Sequence, residues 1–192
     1  MQTIKKILST FVLLLSLVGA IAVMGFVAPP EPRIVRQEIQ VPVEVEAPTP
    51  SLSELIDEIP PRYGIPPIVV RAIIHQESNG KKNAIRFEQS QMGRAAKITS
   101  DPQQQRMLAS SHGPMQILGW WSKEYQIDWS DLYDLRTNVE VGCAILKRGL
   151  DRHKGKGKYE QLRRALAEYN GSDVYAQQVL GRIGQELIEE RL

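Results

Sequence analysis

Residues 69–78 read "VVRAIIHQES". Val69, Ile73 and Glu77 recur every four residues, so on a helix they share one face. That face begins apolar and ends on a carboxyl. Asn79-Gly80 follows and is a helix stop. If the face points inward, burial disfavours the carboxylate and raises the Glu77 pKa. The helix C-terminus carries partial negative charge, which acts in the same direction. A carboxyl still protonated near neutral pH is the state a general acid requires. The alternative is a helix that frays early and leaves Glu77 solvated.

On the N-terminal side, Pro66 or Pro67 opens this helix, since proline suits a first helical turn. Before it, "SLSE" (51–54) is a capping box with Ser51 as cap and Glu54 reaching back. A helix from about Leu52 to Ile59 follows, ended by Pro60-Pro61. Downstream, "TNVEVGCAILKRGL" (137–150), "YEQLRRALAEYN" (159–170) and "DVYAQQVLGRIGQELIEERL" (173–192) carry apolar residues at spacings of three and four. Leu162, Ala165, Leu166 and Tyr169 share one face; Tyr175, Val179, Ile183 and Leu187 share another. No strand-like run and no internal repeat follows Ser51. Residues 51–192 are expected to form one all-α domain.

The first 50 residues read differently. Lys5-Lys6 precede an uncharged run over 7–27, long enough to span a bilayer, which takes about 20 apolar residues. Ala20-Ile21-Ala22 also offers a cleavage site, so residues 1–28 are expected to be a signal anchor or a signal peptide. The lysines stay cytoplasmic and the rest of the chain is exported. Residues 29–50 hold six prolines and form an extended, semi-rigid linker. The implied partner is a membrane, through the N-terminal helix. A formal charge of +2 is too small to argue for nucleic acid. The single cysteine, Cys143, excludes an intrachain disulfide framework and reads as a core thiol. The three histidines are scattered and no H-E-x-x-H occurs, so neither a metal nor another cofactor is expected. Nothing in the pattern specifies an oligomeric state.

Three short motifs add to the Glu77 helix. In order they are Glu77-Ser78, then Gly113-Pro114-Met115-Gln116 within "SSHGPMQILGWW" (110–121), then Glu168-Tyr169-Asn170. The set, over roughly residues 62–182, resembles the soluble lytic transglycosylase family, relatives of goose-type lysozyme, whose motifs are E-S, G-L-M-Q and A-Y-N. "AIRFE" (84–88) is similar to the catalytic domains of some phage endolysins. Pro114 stands where the family has leucine, Glu168 where it has alanine, and Ser172 where it usually has glycine.

The resemblance implies a lysozyme-like fold and peptidoglycan glycan strands as substrate, cut between N-acetylmuramic acid and N-acetylglucosamine. It implies Glu77 as the catalytic acid, with a 1,6-anhydro product. Substrate-binding candidates are Ser78, Ser111, Met115, Gln116, Tyr169 and Asn170. Gln116 has a donor and an acceptor suited to an N-acetyl group, or it caps a helix of "MQILGWW". Tyr169 resembles a tyrosine placed near the acid, and it also continues a core face. Asn170 also suits a helix C-cap. Trp120, Trp121, Tyr125 and Trp129 are expected to be mostly core, with one or two lining the groove. A longer segment between Glu77 and Gly113, with Gln103-Gln104-Gln105, forms either a lobe over the cleft or solvated filler.

Two other functions stay open. A hydrolytic muramidase needs a second carboxylate about 6.5–9.5 Å from the acid. Glu88 is the better candidate and Asp101 the second, although Glu88 also suits a salt bridge to Arg86. A non-catalytic peptidoglycan-binding module of an envelope assembly is the other. The biological role is expected to be phage lysis, wall remodelling or wall opening for a secretion apparatus.

Overall fold

The computed structural model describes residues 49–189. The expected anchor and nearly all of the linker lie outside the described residues. No helix among the described residues is long and apolar enough to cross a membrane.

The described residues are mostly helical. Helix α1 (Leu52–Glu58) starts on the Ser51–Glu54 capping box, with both reciprocal bonds formed. A 3-10 turn over Pro60–Tyr63 leads into α2 (Pro67–Ser78). Pro66 is the cap and Pro67 the first residue of α2, where a missing N–H costs nothing. Helix α2 ends at Asn79, whose φ of 52° is left-handed, followed by Gly80 at 76°. Short helices α3 (Met92–Ala95), α4 (Pro102–Leu108) and α5 (Trp121–Glu124) come next. Three long ones close the chain: α6 (Leu135–Arg152), α7 (Lys158–Asn170) and α8 (Asp173–Glu189).

Helix α6 packs on α7, α7 on α8, and α8 on α2. Their shared core includes Ile73, Leu146, Leu166 and Val179, all fully buried. Cys143 lies within it and burial pushes its thiol up to about 12, so it is unreactive. The expected face of α2 is correct for Val69 and Ile73, which both enter this core.

The structure departs from the all-α expectation by one small sheet. Strands β1 (Ile85–Phe87), β2 (Ser110–His112) and β3 (Ile117–Leu118) pair antiparallel in that order. Arg86 opposes Ser111 and Ile85 opposes His112; His112 in turn opposes Ile117. "MQILG" is accordingly a turn and a strand, and a helix begins only at Trp121. The long segment between Glu77 and Gly113 is folded: α3 and α4 enclose a second core of Ala95, Leu108 and Ala109. Phe87, Met92, Trp120 and Trp129 pack against it. Gln105 ties that lobe internally by donating from Nε2 to the Thr99 carbonyl at 2.8 Å.

Candidate active site

Glu77 lies in the last turn of α2, at the wall of an open cleft of about 510 Å³. Ser78, Lys81, Ile85, Arg86 and Gln116 line the same cleft. Burial is the main cause that raises the Glu77 pKa above the ordinary carboxylate value. Three neighbours act against it without overturning it. The Tyr175 hydroxyl and the Asn170 amide favour the anion by hydrogen bonding, and Arg86 favours it by charge. Glu88 adds a small push upward. Asn170 Nδ2 donates to Glu77 Oε1 at 3.3 Å. The Tyr175 hydroxyl is buried and completes no hydrogen bond of good geometry. Its influence on Glu77 therefore marks a donor poised beside the carboxyl rather than a formed bond.

The Gly113–Gln116 turn forms the neighbouring wall. Asn138, wholly buried on α6, holds it with three bonds. Its Nδ2 donates to the carbonyls of His112 at 2.9 Å and Leu132 at 2.8 Å, and its Oδ1 accepts from the Met115 amide at 2.9 Å. Ser78 Oγ donates to the Pro114 carbonyl at 2.8 Å. Tyr169 donates its hydroxyl to the Met115 carbonyl at 2.9 Å. Gln116 has φ of 48° and donates its side-chain amide back to the Gly113 carbonyl at 2.9 Å. Gly113 is at φ 72°, and a Cβ there would lie 2.3 Å from Asn138 Nδ2. Gly142 admits Met115: a Cβ at 142 would lie 2.3 Å from the Met115 sulfur. Under the turn, His112 Nε2 faces the Met107 carbonyl at 2.8 Å and so carries the proton. That leaves Nδ1 to accept from Tyr133 at 3.1 Å. Burial lowers the His112 pKa, which keeps the ring neutral.

The residues expected from the sequence thus divide. Glu77, Ser78 and Gln116 meet at the cleft. Asn170, the last residue of α7, touches Glu77, while Gly171 at φ 81° takes the cap position. Met115 is wholly buried and Ser111 is 2% exposed, so both sit behind the cleft wall. Gln116 lines the cleft but is only 8% exposed, and its amide nitrogen is taken up by the Gly113 carbonyl. The Tyr175 hydroxyl lies beside the Glu77 carboxyl, and Tyr169, which also feels the Glu77 charge, donates its hydroxyl to the turn. Glu168, which replaces the family's alanine, pairs with Arg152 and with His153, each at 2.8 Å. Asp101 caps α4 by accepting from the Gln103 amide at 2.8 Å. Glu88 accepts from Arg86 Nε at 2.5 Å. None of Trp120, Trp121, Tyr125 or Trp129 lines the cleft; Trp120 stacks on Trp121 with centroids 4.3 Å apart.

Neither the curated proteins nor the solved structures give a match. Among protein families, the one described as Transglycosylase SLT domain matches residues 54–190, which takes in Glu77, the Gly113–Gln116 turn and Asn170. With most of the chain covered by that match, the chain belongs to the transglycosylase SLT domain family.

Proposed function

We propose that the protein is a lytic transglycosylase that cuts the β-1,4 bond after N-acetylmuramic acid in peptidoglycan and leaves a 1,6-anhydro end. The observation that carries this reading is Glu77, a largely desolvated carboxyl with a raised pKa on the wall of an open cleft. Among the described residues lining that cleft it is the sole carboxyl.

Protonated Glu77 donates its proton to the glycosidic oxygen as the bond to the anomeric carbon breaks. The resulting carboxylate is stabilised by Asn170 and by the Tyr175 hydroxyl, both of which favour the ionised form. It then takes the proton of the muramic acid 6-hydroxyl, whose oxygen bonds to the anomeric carbon. The proton count closes on Glu77 and no water is consumed. An attacking group already within the substrate supplies the proximity that a positioned water would otherwise need.

Mass spectrometry of digested peptidoglycan tests this. The expected muropeptides end in 1,6-anhydro-N-acetylmuramic acid, lighter by one water than hydrolysed ones. Reducing ends alone would assign a muramidase with Glu88 as the water-activating carboxylate.

The proposal includes export, with residues 1–28 directing the domain to the outer side of the cytoplasmic membrane. Its support is Lys5-Lys6 followed by the uncharged run. A reporter fused after residue 50 is expected outside the cytoplasm, and retention inside would overturn it. Wall degradation in phage lysis or in wall remodelling is the role this chemistry serves.

A further inference from the structure

One wall of the cleft is cationic. Lys81 and Arg86 line it, Glu77 is the only acid among the described lining residues, and Glu88 sits behind it, paired with Arg86. Lys81 is exposed and makes no ion pair among the described residues. Arg86 is held in a particular way. Its Nε donates to Glu88 Oε1 at 2.5 Å, a contact at one edge of the guanidinium. The two terminal nitrogens make no hydrogen bond among the described residues. Arg86 is 53% exposed along its side chain, while Glu88, at 29%, is the more enclosed of the two. Pairing β1 with β2 opposes Arg86 to Ser111, which fixes the strand that carries it.

An arginine anchored through Nε presents a rigid, planar pair of donors, the geometry that binds a carboxylate with two parallel bonds. Arg164 makes the same edge-on contact with Glu160, at 2.6 Å, so what sets Arg86 apart is its place on the wall of the cleft that holds Glu77. Because this fork is open and borders the cleft, we propose that Arg86 is a carboxylate receptor. Glu88 is its positioning residue, and the pair selects glycan strands whose muramyl side chains carry free acid groups. This rests on the reading of the cleft as a glycan-cleaving site. The strand itself is neutral at its N-acetylglucosamine units. Acid groups enter only through the lactyl ether and the peptide stem attached to it. Arg86 thereby senses the chemistry that separates a wall glycan from a neutral N-acetylglucosamine polymer. Lys81 adds field on the same wall without the fixed geometry.

The test compares peptidoglycan strands with free carboxylates against the same strands after their carboxylates are converted to amides. Wild-type protein is expected to show a KM about tenfold higher on amidated strands, with kcat little changed. Arg86→Gln should raise KM about tenfold on acidic strands and much less on amidated ones, while any change in kcat from the charge lost beside Glu77 should be equal on both. Arg86→Lys should fall between. Glu88→Gln should shift KM in the same direction on acidic strands only, because it frees the arginine rather than removing it. Equal wild-type KM on the two strands would overturn the proposal, as would an Arg86→Gln rise in KM of the same size on both. Loss of turnover on both strands by a folded Glu88→Gln would return Glu88 to the hydrolytic role. If wild-type protein cuts neither strand, the cleavage reading fails and the receptor falls with it. The wild-type comparison needs no variant, so a misfolded substitution leaves the proposal decided.

Discussion

The end of α2 and the Gly113–Gln116 turn stand next to each other in the cleft, yet they are held in different ways. Helix α2 ends where its own backbone ends it, at left-handed Asn79 and Gly80. Glu77 needs only that helix and the core beneath it to reach its place. The turn has little local preference to hold it. Gln116 is strained at φ 48°, and the loop is secured by side chains from α2, α6 and α7: Ser78, Asn138 and Tyr169. The proposed acid is thus set by short-range structure, and the surface that faces it is set by polar contacts from three helices. Chemistry and architecture should then fail separately.

The largest expected effect tests the chemical half. Glu77→Gln keeps the side chain's size and removes the transferable proton, so wall-clearing activity should fall by about 10²–10⁴-fold. Near-normal thermal unfolding should accompany it. Substantial remaining activity would show that another group supplies the proton.

The second prediction tests the architectural half. Asn138→Ala removes three hydrogen bonds and leaves the His112 and Leu132 carbonyls and the Met115 amide buried without that partner. Stability measured by urea unfolding should drop by about 3 kcal/mol or more, since each stranded group costs about 1–3 kcal/mol. Activity should be lost in proportion to the turn. A loss well below 1 kcal/mol would mean the turn holds itself.

The smallest effect sharpens the contrast through pH. Glu77 has a raised pKa in the folded state, mainly by burial, so the folded protein keeps this proton after the unfolded chain has released it. Ionising it therefore costs stability as pH rises past the ordinary carboxylate range. Glu77→Gln escapes that cost. The variant and the wild type should melt alike in acid, and the variant should gain relative to the wild type as pH rises. Activity should fall on the alkaline side, at a pH above the ordinary carboxylate range, as the acid loses its proton. A melting difference that is flat with pH would contradict a desolvated Glu77.

These differences also explain what could be read in advance. Val69, Ile73 and Glu77 announce their face by spacing alone, and the capping box announces α1. The strands β1 to β3 are two or three residues long, too short for alternation to appear. The turn between β2 and β3 is held by Asn138, 23 residues beyond Met115. Tyr169 and Tyr175 both lie on apolar faces. Which of them reaches Glu77 is decided by the change of direction at Gly171, where α7 ends and α8 has not begun. No periodicity within either helix carries that information. Asp101 carries a cap signal in the sequence, as an aspartate directly before a proline that opens a helix, and it caps α4.

Met115 offers a clock for the turn. Its sulfur sits in the notch at Gly142 with no exposure to solvent. Oxidation to the sulfoxide adds an oxygen that the notch has no room for, so peroxide can reach this sulfur only after the turn has lifted from α6. Met92 and Met107 are partly exposed and supply reference rates in the same molecule. The ratio of the Met115 rate to theirs counts how often the cleft wall opens, a motion that leaves the average structure unchanged.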